Sequence, residues 1–203
     1  MSKLYFINEI FYSIQGEGYN AGKAAVFVRF AGCNLDCQMA PGMRSPGGFI
    51  CDTDFSKKEE LTAAQIQQRM LEVGGRCRRV IFTGGEPCLQ LDQELTGSLL
   101  GWVVWIESNG TLPIPPHVDY VACSPKTSLW PAKVDELRLV ITADPLSWPD
   151  WTLYDGVAER YYLSPAYVDG RIDPGALEAC VNLVKKDPRW RLSIQQHKIW
   201  KVR

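Results

Sequence analysis

The sequence is poor in histidine, with only His117 and His197 in 203 residues, and neither lies near the cysteines gathered early in the chain. No apolar run approaches the roughly 20 residues that span a bilayer. The start, MSKLYFINEIF, lacks the long apolar segment and small-residue cleavage site of a secretory leader. Neither sign of charge is in excess, since 22 Lys and Arg against 23 Asp and Glu leave a formal net charge of −1. That balance gives no extended footprint for nucleic acid and no basic face for a membrane. Seven cysteines is an odd count without a compact secreted framework, which argues for reduced thiols in a cytosol. With 46% apolar and 22% charged residues, a single cytoplasmic domain over 1–203 is expected.

What is present concentrates in 25–55, AVFVRFAGCNLDCQMAPGMRSPGGFICDTDF. Val26–Phe30 reads as a buried strand that ends in Gly32-Cys33; Cys37 and Cys51 follow, with Asp52-Thr53-Asp54 behind them. Three thiolates in one loop select zinc, copper(I) or an iron–sulfur cluster. A zinc or cubane site closed by protein alone wants four ligands, and no fourth lies nearby. A three-thiolate cluster would leave one iron open for chemistry. Residues 38–50 hold two prolines and three glycines and read as loop. Closing a longer loop costs only logarithmically more, so the cysteines can still converge.

Further strands are expected at 4–13, 80–83, 102–107, 118–123, 137–141, 160–164 and 190–194. Gln15-Gly16-Glu17-Gly18 is either a plain turn or a place where backbone approaches a flat ligand. Arg29, inside VFVRF, either snorkels at a sheet face or points into a site. A capping box, Thr62 to Gln65, starts a helix with Ile66, Met70 and Val73 on one face and a stop at Gly74-Gly75. Asp173-Pro174 starts another, with Leu177, Cys180, Val181 and Val184 on its apolar face. Cys88 reads as a free thiol and Cys123 as inert core. Glu107, Asn109, Ser124, Lys126 and Ser164 fall just past strand ends, where parallel sheets place ligands; caps and turns are the alternative for each. The long helices are too few for an eight-unit barrel of about 250 residues. The expected fold is α/β, an open partial (β/α) TIM-like barrel with reduced helix content.

Seven pieces, in order along the chain, resemble the 7-carboxy-7-deazaguanine synthases of the radical S-adenosylmethionine superfamily. They are INEIFYSIQGEG (7–18), FVRFAGCNLDC (27–37), CDTDF (51–55), FTGGEPCLQ (82–90), IESNGT (106–111), CSPK (123–126) and WRLSIQQHK (190–198). The resemblance implies a [4Fe-4S] cluster on Cys33, Cys37 and Cys51, although an insert over Met39–Phe49 interrupts the usual CxxxCxxC spacing. It implies S-adenosylmethionine contacts from Gly85, Glu86, Glu107, Asn109, Ser124, Pro125, Lys126 and Ser164, with Glu86 accepting from the methionyl ammonium. It implies pterin contacts from Ile14, Gln15, Gly16, Glu17, Arg29, Thr83 and the terminal residue Arg203, with Arg29 on the substrate carboxylate and Mg2+ on Thr53. Ser164-Pro165-Ala166-Tyr167-Val168-Asp169 departs from the family's Gln-Pro-Met-Asp-like segment.

The implied activity is ring contraction of 6-carboxy-5,6,7,8-tetrahydropterin with loss of ammonia. A 5′-deoxyadenosyl radical starts it by taking hydrogen from C6, on the route to queuosine and other 7-deazapurines. No side chain is singled out as catalytic, because the cofactor carries the hard chemistry. A homodimer and an electron donor such as flavodoxin or ferredoxin are expected partners. Two rivals stand beside this reading. A glycyl-radical-enzyme activase fits the short chain and the Gln15–Gly18 loop poorly. A non-catalytic iron–sulfur or zinc protein predicts no S-adenosylmethionine binding and no role for Gly84-Gly85-Glu86-Pro87.

Overall fold

The chain begins as an antiparallel ribbon and then becomes a parallel sheet. Strand β1, Tyr5–Ile14, pairs with β2, Ala24–Phe30, and a register shift between Ile7 and Glu9 sets Glu9 opposite Arg29. A short β3, Glu59–Leu61, adds to the outer side of β1. From β2 onward the sheet grows in parallel through β4 (Arg79–Gly84), β5 (Val103–Ser108), β6 (Tyr120–Cys123), β7 (Val134–Ile141) and β8 (Ala158–Pro165). A two-residue-long pair, β9 (Tyr167–Val168) and β10 (Arg171–Ile172), follows, and β11 (Trp190–Leu192) lies parallel to β8. The nine-stranded order is β11-β8-β7-β6-β5-β4-β2-β1-β3, so among the described residues β3 and β11 are the two edges and the sheet is open. This computed structural model describes residues 2–35, 37, 51, 57–126 and 133–203. Among them no helix is long and apolar enough to cross a membrane.

Four α-helices occur among the described residues: α1 (Ala63–Gly74), α2 (Gln93–Gly97), α3 (Pro174–Lys186) and α4 (Gln196–Trp200). A 12-residue helix alone is marginal in water. Helix α1 is held by its Thr62–Gln65 capping box and by Ile66 and Met70, both fully buried against Val26, Val28, Phe30, Val80 and Phe82. Burying each such side chain contributes about 1.5–3 kcal/mol. Val73, expected on that face, is exposed; Gly74 takes the inward place, where a Cβ would meet Val26 at 2.5 Å. In α3, Ala176 and Cys180 are buried and Ala179, Leu183 and Val184 pack beside Leu137, Leu139 and Ile141. Ala179 and Leu183, not the expected Leu177 and Val181, therefore complete the apolar face with Cys180 and Val184.

Side chains alternate across each strand. The outward set (Val26, Val28, Phe30; Val80, Phe82; Val104, Ile106; Leu137, Leu139, Ile141) meets the helices in two apolar clusters. The inward set is mixed. Ala25, Ile81 and Trp105, joined by Phe27 and Tyr120, form an apolar floor. Above it, toward the C-terminal rim, lie Arg29, Thr83, Glu107 and Arg138. The sheet thus presents polar groups to its concave face at the rim where parallel strands end.

Candidate active site

Two cavities open on that rim and share a wall. The first, about 220 Å3, is lined by Cys37, Cys51, Gly85, Asn109, Ser124, Lys126 and Ser164 among others. The second, about 320 Å3, is lined by Glu9, Phe11, Ile14, Gln15, Gly16, Arg29, His197 and Arg203. Glu17, Thr83, Glu107, Arg138 and Gln195 line both.

In the first cavity the loop after β2 meets the loop after β4. The Gly85 and Glu86 amides donate to Phe30 and Gly32 carbonyls at 3.3 and 3.0 Å, and a Cβ at Gly85 would lie 2.0 Å from the Gly32 oxygen. Only glycine permits that approach. Cys51 N donates to the Cys37 carbonyl at 3.2 Å, which brings two cysteines together across the long insert. Cys33 stands by Asn109, whose Nδ2 is 3.9 Å from Cys33 Sγ. Among the described residues no three His, Cys, Asp or Glu side chains converge on a single ion. A cubane asks for something different, because its irons are separate and each thiolate holds its own. The Thr53 expectation, and the Asp52–Asp54 turn around it, lie outside the described residues, as does the insert over 38–50.

Glu86 is placed differently from its expected use. It is fully buried, and its carboxylate accepts from Ser108 Oγ (3.0 Å), Cys88 N (3.0 Å) and Asn109 N (2.7 Å). It braces the ends of β4 and β5 and does not line either cavity. Other polar groups line the first cavity. Ser164 Oγ is buried without a hydrogen-bond partner. Lys126 Nζ donates to Ser124 Oγ at 2.7 Å, and burial lowers its pKa. Pro125 sits between these two in the chain and does not itself line the cavity. An orphaned hydroxyl, a desolvated cation and soft thiolates fit a bound amino acid portion beside an iron–sulfur cluster.

The second cavity is built by strand faces and by the C-terminal segment. Glu9 Oε1 accepts from Arg29 Nε at 2.9 Å and Glu9 Oε2 from Arg203 Nη2 at 2.5 Å. Arg203 also lies 5.1 Å from the Phe11 ring, which stacks on Phe27 at 5.1 Å. The Gln15–Gly18 loop is clamped from both sides. Gly16 O accepts from Gln196 N and Gly18 N donates to Ser193 Oγ, each at 3.0 Å. A Cβ at Gly16 would lie 2.3 Å from His197 Nδ1, and one at Gly18 only 1.8 Å from Glu136 Oε1. These glycines make room for protein neighbours; the expectation that they serve the approach of a flat ring is not needed to explain them.

The shared wall centres on Arg138, which is buried and uses each nitrogen on a different carboxylate. Nη1 donates to Glu17 Oε2 at 2.9 Å, Nη2 donates to Glu107 Oε2, and Nε lies 2.8 Å from Glu136 Oε1 without hydrogen-bond alignment. Gln15 Nε2 donates to Glu107 Oε1 at 2.7 Å; Tyr19 N and Tyr120 OH donate to Glu136 Oε2 at 2.9 and 2.8 Å. Burial pushes the Glu107 carboxyl up to about 7 against the pull of Arg138, with Glu136 and Glu17 adding to the rise. Burial would lower the Arg138 value, and the three carboxylates more than offset it, so the guanidinium stays charged.

Sequence reasoning did not single out Arg138, Glu136, Gln195, Glu9, His197 or Tyr167. Two signals were available. Glu136 and Arg138 are charges spaced by two, hence on one face of a strand whose later half, Leu137–Ile141, is otherwise apolar, the same pattern that drew attention to Arg29. Asp169 and Gly170 both have positive φ, 51° and 74°, the two-residue hairpin turn that Asp-Gly favours. That hairpin turns Ala166 and Tyr167 onto the first cavity beside Ser164, in the segment where the family pattern is broken.

A cysteine loop facing a Gly-Gly-Glu-Pro turn across a helix-poor, open parallel sheet defines the radical S-adenosylmethionine class of partial barrels. A 7-carboxy-7-deazaguanine synthase of Bacteroides thetaiotaomicron is 37% identical over 202 residues, covering 97% of this chain and 98% of the relative. One from Nitratidesulfovibrio vulgaris is 39% identical over 217 residues, covering 96% and 97%. The crystal structure of QueE from Escherichia coli matches the fold with a TM-score of 0.68 at 24% identity, covering 95% of this chain and 94% of that one. No family model matches the sequence. Identity of this level over nearly the full length of both chains places this one: it belongs to the 7-carboxy-7-deazaguanine synthase family.

Proposed function

We infer that the chain converts 6-carboxy-5,6,7,8-tetrahydropterin to 7-carboxy-7-deazaguanine with loss of one ammonia. Family membership supplies the activity, and one feature of the wall supports the substrate. Gln195 Nε2 donates to Glu17 Oε1 at 3.3 Å, because a carboxylate can only accept. Its other atom, Oε1, is therefore directed away from Glu17, and it is buried without a partner. Glu17 and Glu107 flank it, retaining 20% and 22% of their side-chain surface, which opens into the cavities. Such a wall, rich in acceptors, suits an edge rich in donors, namely an amino group beside ring N–H groups. At the far side, Arg29 donates to Glu9 through Nε, and among the described residues its η-nitrogens have no hydrogen-bond partner, which suits them to a carboxylate. A reduced carboxypterin has both ends.

In this reading Cys33, Cys37 and Cys51 hold the cluster, and Gly85, Asn109, Ser124, Lys126 and Ser164 line the place for S-adenosylmethionine. When bound, cluster and cofactor supply the hydrogen-abstracting radical. The chain's own part is placement. Thr83 and Glu107, common to both cavities, stand between cofactor and ring. Arg29 fixes the carboxylate end, with Mg2+ on Thr53 serving the same end, and the wall fixes the amino end, so the reacting carbon is presented toward the cofactor side. Ile14, Gln15 and Gly16 supply one rim of the pocket and Arg203 the opposite rim. A cytoplasmic setting, a twofold dimer and a one-electron donor protein such as a flavodoxin or ferredoxin complete the proposal.

The test is anaerobic reconstitution followed by dithionite, S-adenosylmethionine and the carboxytetrahydropterin, with products read by mass spectrometry. Deazaguanine carboxylate with ammonia is the expected result. Cleavage of S-adenosylmethionine to 5′-deoxyadenosine alone would mean a different substrate, and no cleavage by a reduced cluster would point to the non-catalytic alternative.

A further inference from the structure

We propose that Arg138 is a positioning residue, whose guanidinium sets Glu17 and Glu107 as a fixed acceptor pair for the amino edge of the pterin while Glu136 sets Arg138. The proposal rests on the pterin reading above. Its geometric basis is independent of that reading and lies in how the four residues are supported.

Glu17 and Glu107 come from unrelated parts of the chain, the loop after β1 and the end of β5. Gln15 joins the two elements, donating to Glu107 Oε1 at 2.7 Å and accepting from Glu17 N at 3.3 Å, but it holds the Glu17 backbone and not its carboxylate. Both carboxylates terminate on one planar group, through Nη1 and Nη2. A guanidinium holds its donors in a rigid fork, so two carboxylates bound to it take a fixed separation and orientation. A lysine would supply charge without that geometry.

The fork itself is oriented from behind. Glu136, 1% exposed, sits two residues before Arg138 on the same face of β7 and contacts Nε at 2.8 Å. Its other oxygen is saturated by Tyr19 N and Tyr120 OH. Glu136 is buried behind Arg138 and lines neither cavity, whereas Glu17 and Glu107 line both. It also occupies the space that a side chain at Gly18 would need, which ties the substrate loop to the same post. One buried cation with three carboxylates carries excess negative charge that a donor-rich ligand would relieve. This gives the wall a preference for a ring bearing an amino group over the same ring bearing a carbonyl oxygen there, because the second acceptor would face two carboxylates.

The experiment uses reconstituted, S-adenosylmethionine-loaded enzyme and measures the Kd of the carboxytetrahydropterin and of its 2-oxo counterpart by calorimetry. KM and kcat, visible cluster absorption and S-adenosylmethionine affinity are measured alongside. Arg138→Gln is expected to weaken pterin binding and raise KM by about 10–100-fold, the scale of charge-assisted hydrogen bonds. The preference for the amino ring should shrink, with cluster absorption and S-adenosylmethionine affinity unchanged. Arg138→Lys, which keeps the charge and guards against a folding failure, should restore only part of the affinity. Glu136→Gln should shift Kd in the same direction as Arg138→Gln. Unchanged Kd and ring preference in Arg138→Lys and Glu136→Gln would overturn the positioning role while leaving the activity intact. Joint loss of cluster, S-adenosylmethionine affinity and pterin affinity would make Arg138 merely structural and also overturn it. A wild-type enzyme that neither binds nor converts the pterin would overturn the functional reading itself.

Discussion

The two cavities share a wall, yet they are assembled by opposite means. The cofactor side is made by loops that each follow one strand: the cysteine loop after β2, Gly85 and Glu86 after β4, Asn109 after β5, Ser124 and Lys126 after β6. Their contacts are short backbone bonds between neighbouring strand ends, such as Glu86 N to Gly32 O at 3.0 Å. The substrate side is made by strand faces and by distant chain, with Glu9 reaching Arg203 and Glu17 reaching Gln195. Chemistry common to many reactions is thus carried by contiguous motifs. In the proposed function, substrate recognition combines the contiguous Ile14–Glu17 stretch with residues brought together from distant parts of the chain.

That division can be broken most forcefully at the cysteines. Cys33→Ala, Cys37→Ala and Cys51→Ala should each abolish visible cluster absorption and turnover after reconstitution, since removing one of three thiolates leaves the cluster without a holding site. Pterin affinity, carried by the second cavity, should be unchanged by calorimetric titration. If it falls together with the cluster, the two sides are not separable and the comparison fails.

How much could be read in advance follows the same line. The strands, the Thr62–Gln65 cap and the Asp173 cap were legible because their signals are local: apolar runs, a hydroxyl three residues before a glutamine, an aspartate before proline. The cysteine loop and Gly-Gly-Glu-Pro were legible for the same reason. Strand β3 was not, since Glu59-Glu60-Leu61 has no strand pattern of its own and is recruited by pairing with β1. Val73 was misplaced because periodicity alone cannot tell that Val26 requires a glycine opposite it. Arg138 was missed although the alternation of β7 points it inward, because its three partners are 121, 31 and 2 residues away and no spacing rule connects them.

A sharper test separates a glycine's backbone role from its packing role on the substrate side. Gly18 and Gly22 flank one turn and both have positive φ, 66° and 87°. A Cβ at Gly22 meets nothing within 4 Å, whereas one at Gly18 collides with the Glu136 carboxylate. Gly22→Ala should therefore cost only backbone strain, about 1 kcal/mol. Gly18→Ala adds displacement of a buried ion-pair network and should cost about 3–5 kcal/mol. Urea unfolding measures both, and equal costs would mean that Glu136 can move aside freely, weakening its role as the post behind Arg138.

The smallest expected effect concerns protons at the shared wall. Glu107 has a folded value of about 7, well above the unfolded carboxyl value of about 4.3. Between these values the folded protein binds more protons than the unfolded chain, so this group makes stability fall as pH rises through the window and leaves it level above. The groups facing it are Arg138, which opposes ionisation's cost, and Glu136 and Glu17, which increase it. Glu107→Gln stays neutral throughout. Its stability relative to wild type should rise by roughly 1–3 kcal/mol between pH 5 and pH 8, measured by urea unfolding at fixed ionic strength. A difference that does not change with pH would mean that Glu107 ionises normally, with Arg138 neutralising it outright. Glu107 would then be a charged acceptor across the whole window, and the wall's preference for a donor edge would not change with pH.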